Sequence, residues 1–149
     1  MRAVVQRVNR AQVTVEGAVV GRVELGLCAF IGVGRDDSEL DAIALADKVV
    51  GLRVFEDEAQ KMNLSLSESG GALLAVSQFT LFGDVRKGKR PSFSEAMEPV
   101  RAEALFRQFC DECRTRGARV ETGRFRTQMQ VELENDGPVT ILIDTKRAF

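Results

Sequence analysis

The seven residues Leu27-Cys28-Ala29-Phe30-Ile31-Gly32-Val33 are apolar without interruption and without alternation. A strand with one wet face alternates polar and apolar residues, so this run reads as a strand covered on both faces and central in its sheet. Around it lie short β-branched stretches at 3–8, 11–15 and 19–25, with Glu16-Gly17 as the turn between the second and third, and these read as antiparallel strands. Asp36-Asp37-Ser38 supplies capping side chains for a helix whose stripe of Leu40, Ile43, Ala44, Ala46, Val49 and Val50 ends near Gly51. A strand at 52–55, a polar turn, a short segment at 62–64, the turn Gly70-Gly71 and a buried strand at 72–81 follow. Pro99 suits the first turn of a second helix, where Ala102, Leu105, Phe106, Phe109, Cys110 and Cys113 share one face and Gly117 is the stop. Strands at 119–121, 128–133 and 139–143 complete the chain, the last two joined by Asn135-Asp136-Gly137-Pro138.

Seven or eight strands against two helices make an α/β chain, with mixed, largely antiparallel sheets curling into a barrel-like core and two main helices packed on it. A doubly wound nucleotide fold does not fit. Gly32-Val33-Gly34 has no third glycine at the required spacing, and Asp36-Asp37 would repel a phosphate. The 149 residues, 44% of them hydrophobic, read as a single domain spanning 1–149. A chain of this size buries roughly 70% of its unfolded surface, enough for a core without disulfide or metal.

Composition removes several chemistries. Without histidine, Ser-His-Asp and Cys-His catalysis and His-containing zinc sites are impossible. No cluster of Cys and carboxylates suggests a metal, and nothing calls for a cofactor. Cys110-Asp-Glu-Cys113 lies late in its helix, where the dipole does not lower a thiol pKa, so the pair reads as two small apolar residues on a buried face. No apolar run approaches the roughly 20 residues that span a bilayer. Gln6 and Arg7 interrupt the start where a signal peptide would stay apolar, so a cytoplasmic protein is expected.

Two segments put polar groups where strand patterns call for apolar ones. Ser77-Gln78-Phe79-Thr80 ends a buried strand with hydroxyls, an amide and backbone N–H groups, the ingredients of an oxyanion site without histidine. Polar residues satisfying one another as the strand leaves the core are the plainer explanation of that segment by itself. Asn135-Asp136-Gly137-Pro138-Val139-Thr140 contains a proline that cannot join a ladder. About 5–6% of X-Pro bonds in folded proteins are cis, so a trans turn is the ordinary expectation, whereas a cis bond would turn the Gly137 and Pro138 carbonyls to one side.

Together, and with Gln6-Arg7-Val8, Lys61-Met62-Asn63-Leu64, Arg90-Pro91-Ser92-Phe93 and Thr122-Gly123-Arg124-Phe125, these segments resemble the D-aminoacyl-tRNA deacylase family over nearly the whole chain. The resemblance implies a homodimeric hydrolase that cuts the ester joining a D-amino acid, or mischarged glycine, to the terminal ribose of tRNA, with pockets at the subunit interface. It implies that Gly137-Pro138 is cis and enters the partner's pocket as the chirality filter. It further implies that Arg7 holds that motif and that Met129 lines the pocket, although Met129 alternates with Val131 and Leu133 as a core residue would. An L side chain would point at the rigid carbonyls, while a D residue turns its side chain outward. Glycine has nothing to reject.

For the chemical step, Phe79 and Thr80 N–H groups would face the oxyanion, with Ser77 and Gln78 bracing the pocket. Thr80 is the available side-chain nucleophile but has no adjacent base, which favours water oriented by the ribose 2′-OH. Arg86, Lys87, Lys89 and Arg90 form a basic loop suited to tRNA phosphates on a chain of net charge -1, or are simply solvated. A non-catalytic RNA-binding module using the same loop is the alternative. It lacks support from stacking aromatics, since there is no Tyr or Trp and most of the nine Phe fall at core-like positions. A redox role for the cysteines ranks lower and requires loss of function in Cys110→Ser. The segment 144–149 lies beyond the matching motifs and has no assigned role.

Overall fold

The computed structural model describes residues 1–149. β1 (Arg2–Val15), β2 (Ala18–Val23), β3 (Gly26–Gly32), β6 (Ala72–Ser77), β7 (Arg119–Thr122) and β8 (Gln130–Asp144) form one six-stranded sheet, and β4 (Phe55–Glu56) and β5 (Met62–Leu64) form a small separate ribbon. The helices are α1 (Glu39–Gly51), the single turn α2 (Leu66–Ser69) and α3 (Pro99–Thr115). The sheet order is β2-β1-β3-β6-β7, with β8 on the other side of β1.

The unbroken apolar run from Leu27 is central. β3 lies between β1, antiparallel, and β6, parallel, and its residues are buried on both faces. Leu27, Ala29 and Ile31 face one core with Leu73 and Ala75 of β6 and the apolar faces of α1 and α3. Cys28 faces the other, with Leu74, Val76, Val8, Val13 and Val23. The alternation is present, but both faces are apolar because each has a cover. Phe109 of α3 is fully buried in the first core, and its truncation to Ala would cost about 3–5 kcal/mol.

The sheet curls until β2 approaches β7, giving a nearly closed barrel. A Cβ on Gly21 of β2 would stand 2.2 Å from the carbonyl oxygen of Thr122, so this closure requires glycine.

Several expectations are corrected. Segments 3–8 and 11–15 are one strand, because residues 2–8 pair with β3, residues 11–15 pair with β2, and β8 runs along the other side throughout. Segments 128–133 and 139–143 are likewise one 15-residue strand, and Asn135-Asp136-Gly137-Pro138 is a bulge in it rather than a connection between strands. Proline has no N–H for the ladder, so the chain bows out there and resumes pairing with the same partner. The buried strand proposed for 72–81 stops at Ser77, and Phe79–Phe82 form a 3-10 turn. The strand expected at 52–55 shrinks to Phe55–Glu56, and α2 precedes the Gly70-Gly71 turn.

α1 begins as expected, with Ser38 N–H donating to Asp41 Oδ2 at 2.9 Å, but its buried face is rotated. Ala42, Leu45, Ala46, Val49 and Val50 are buried, while Ala44 is exposed and Leu40 is 75% exposed. Apolar residues ring most of this helix, so periodicity alone did not choose the face. The six apolar residues expected on α3 are its buried set. No helix is long and apolar enough to cross a membrane.

Candidate active site

β3, β6 and β7 run parallel, and at the carboxyl ends of β3 and β6 a cavity of about 710 Å³ opens between the 3-10 turn, the start of α3 and the β7–β8 connection. Parallel strands, in open sheets and barrels alike, present ligand sites at their carboxyl ends, and the volume suits a small ligand. Ser77, Gln78, Phe79 and Thr80 line it on one side and Met129 on another. Phe30, Phe93, Ala96, Met97, Pro99, Phe106 and Phe125 make the rest largely apolar.

Local forces fix the Ser77–Thr80 segment. Gln78 N–H donates to the Ile31 carbonyl at 2.7 Å, which carries the chain past the end of β6 before it turns. Arg2 then holds the turn, donating to the Leu81 carbonyl at 3.1 Å and stacking 4.4 Å from the Phe82 ring centre. No side chain caps this 3-10 turn, so the N–H groups of Phe79 and Thr80, its first two residues, are left without an acceptor inside it. Gln78 Nε2 donates to Thr80 Oγ1 at 2.9 Å, so the hydroxyl accepts a hydrogen bond and no base receives its proton. Phe79, 57% exposed, meets Phe93 edge-to-face at 5.0 Å at the mouth.

The cavity is lined by no carboxylate, lysine or cysteine, and Arg126 is its only charged residue. The cysteines are elsewhere and buried, and burial pushes the Cys110 and Cys113 thiols up to about 12, the opposite of a reactive CxxC pair.

The Gly137-Pro138 bond is cis, as the family resemblance implies and unlike the trans turn that the local pattern alone favours. The bulge that carries it is closed by Asn135, whose Oδ1 accepts from Val139 N–H at 2.8 Å while Nδ2 donates to the Val139 carbonyl at 3.1 Å. Arg7 sits opposite, buried. Its Nε donates to the Asp136 carbonyl at 3.0 Å and lies 3.3 Å from Asp136 Oδ2, and its Nη1 donates to the Val54 carbonyl at 2.7 Å. Gly137 and Pro138 themselves are exposed and do not line the cavity of their own chain.

In the basic loop, Arg86 is held by Asp84 at 2.7 Å, which leaves Lys87, Lys89 and Arg90 as exposed cations without ion pairs. The segment 144–149 is engaged, not idle. Thr145 accepts from the Met1 ammonium at 2.6 Å and donates to Asp41 at 2.7 Å, and Lys146 pairs with Asp41 at 3.0 Å. Sequence reasoning missed the cavity roles of Phe93, Phe125, Arg126 and Thr127; the first two fall in quoted motifs, and the others carried no signal before the β7–β8 connection was folded.

The cavity is a largely apolar cleft with the uncapped start of the 3-10 turn on its wall. The chain belongs to the D-Tyr-tRNA(Tyr) deacylase family, whose sequence profile matches residues 4–144. It is similar over its full length to proteins named D-aminoacyl-tRNA deacylase, at 60% identity in Koribacter versatilis and 57% in Thermotoga petrophila, with 100% of both chains covered in each case. A solved structure titled c-Myc DNA Unwinding Element Binding Protein superposes with a TM-score of 0.91 at 39% identity, covering 97% of this chain and 99% of that one. A probable eukaryotic D-amino acid tRNA deacylase shares the fold at a TM-score of 0.81 and 20% identity, covering 95% and 97%.

Proposed function

We propose that the chain hydrolyses the ester between a D-amino acid, or glycine, and the terminal ribose of tRNA, releasing the free amino acid and tRNA, and that it spares L-aminoacyl-tRNA. Membership of the family supports the reaction class, and the observation that carries the mechanism is the pair of uncapped N–H groups of Phe79 and Thr80, two residues on the wall of an apolar cavity. Water adds to the ester carbonyl, the two N–H groups stabilise the oxyanion, and the ribose oxygen leaves with a proton. No protein base lines the cavity and Thr80 is held as an acceptor by Gln78, which favours water oriented by the substrate's 2′-OH over a covalent Thr80 intermediate.

Chirality is read by the carbonyls of cis Gly137-Pro138. This bulge is exposed and absent from its own chain's cavity, so it serves a second copy in a two-fold dimer. β8 supports such pairing, since its 15 residues form a long sheet edge with β1 on one side only. Lys87, Lys89 and Arg90 meet tRNA phosphates. The enzyme acts in the cytoplasm, where charged tRNA is used, and proofreads translation.

The test compares ester loss from D-tyrosyl-tRNA and L-tyrosyl-tRNA with the purified protein. Rapid cleavage of the D form alone is expected. Equal cleavage of both would sink the chirality filter, and binding without cleavage would favour an RNA-binding module.

A further inference from the structure

We propose that Arg126 grips the phosphodiester immediately 5′ of the terminal adenosine of the substrate tRNA, forming a phosphate subsite at the cavity rim. This rests on the reading of the cavity as the site for a charged tRNA end. Among the 19 residues lining the cavity, Arg126 alone carries a charge. Its side chain is exposed and has no ion-pair partner, unlike Arg86, which Asp84 neutralises. Its backbone lies at φ 58°, a left-handed conformation that L side chains rarely adopt and that glycine fits better.

That conformation is held from both sides. Thr127 Oγ1 donates to the Arg124 carbonyl at 2.8 Å, closing the turn, and Phe125 packs against Phe106 of α3 with ring centres 6.2 Å apart. The guanidinium is therefore presented from a fixed turn. Strained backbone kept beneath a functional group is a common feature of binding sites.

The substrate's chemistry selects the partner. Near the scissile bond the ester, ribose and adenine are neutral, and the amino group of the amino acid is a cation that Arg126 would repel. The first anion along the chain is the phosphodiester preceding the adenosine, whose paired oxygens match a guanidinium fork. A second anion arises only after cleavage, on the carboxylate of the released amino acid.

The experiment measures kcat and KM for wild type, Arg126→Gly and Arg126→Lys on two substrates, D-tyrosyl-tRNA and 3′-O-(D-tyrosyl)adenosine, which has no phosphate. Arg126→Gly suits the backbone, so loss of folding is not expected, and the thermal midpoint checks it. On tRNA the glycine variant raises KM about tenfold, the weight of one charge-assisted contact, with kcat nearly unchanged. The lysine variant falls between, and the slope of log kcat/KM against log salt drops by about 0.7 in the glycine variant. On the nucleoside ester the variants match wild type. Equal losses on both substrates would overturn the phosphate assignment and point to the carboxylate or the nucleoside, and an unchanged KM on tRNA would overturn it outright. Wild type cleaving neither substrate would instead refute the deacylase reading, and the subsite with it.

Discussion

Replacing Arg7 by methionine keeps the apolar stem and removes the charged donors. In the structure those donors serve the Val54 carbonyl at 2.7 Å and the Asp136 carbonyl at 3.0 Å. A hydrogen bond from a charged group contributes about 1.5–3 kcal/mol, so the pair amounts to about 3–6 kcal/mol. The Asp136 side chain is 42% exposed, so water replaces part of the loss at that end. The lower figure, about 3 kcal/mol, is therefore expected, dominated by the Val54 carbonyl left without its partner. For a chain near 150 residues each kcal/mol moves the thermal midpoint by about 2–4 °C, which gives a fall of about 6–12 °C followed by circular dichroism. The same change frees the bulge that carries Gly137-Pro138, and a displacement near 1 Å costs up to about 100-fold in a positioned reaction. Discrimination between D- and L-tyrosyl-tRNA should therefore fall at least tenfold at a temperature where the variant is folded. A midpoint within about 2 °C of wild type would refute the energetic argument. A lowered midpoint with unchanged discrimination would show that Arg7 supports the core and not the filter.

Gly137→Ala tests the filter directly, because at φ 150° its Cβ would stand 2.7 Å from both Val139 N and Val139 Cγ2. D/L discrimination in the ester-loss assay should drop by at least about tenfold, with a stability loss of about 1–3 kcal/mol; retained discrimination would count against the filter. Thr80→Ala should keep kcat within about threefold and trap no acyl-enzyme by mass spectrometry, whereas a 2′-deoxy substrate should react at least about 100-fold slower. The opposite pattern would install Thr80 as the nucleophile. Asp41 tests the tether between α1 and residues 145–146. Burial raises its pKa, but hydrogen bonds from Thr145, the Ser38 N–H and Lys146 outweigh that and hold the carboxyl well below the usual range. Because the folded value lies below the unfolded one, its stabilisation is present above about pH 4 and is lost as pH falls from there toward the folded value. Between pH 6 and 3 the thermal midpoint of wild type should fall more steeply than that of Asp41→Asn; parallel curves would exclude this linkage.

Some of this molecule was legible in its residue order. The unbroken run 27–33 declared a two-sided strand because burial on both faces removes any need for alternation. Pro99 and Gly117 bracketed α3, and its apolar spacing named its buried face, because capping and helical periodicity are local. The motif at 77–80 and the Gly137-Pro138 pair marked the unusual backbone segments, since polar residues at a strand end and a proline inside a ladder are local anomalies.

Tertiary structure decided the rest. Whether two β segments are one strand depends on a shared partner, and β1 supplies it for both halves of β8 across the bulge. α1, apolar around most of its circumference, had its face chosen by what it packs against. The engagement of Thr145 and Lys146 with Met1 and Asp41, and the cavity itself, join residues more than 40 positions apart. No local pattern records such meetings, because the free energy that selects them comes from burying surfaces that exist only once the chain has folded.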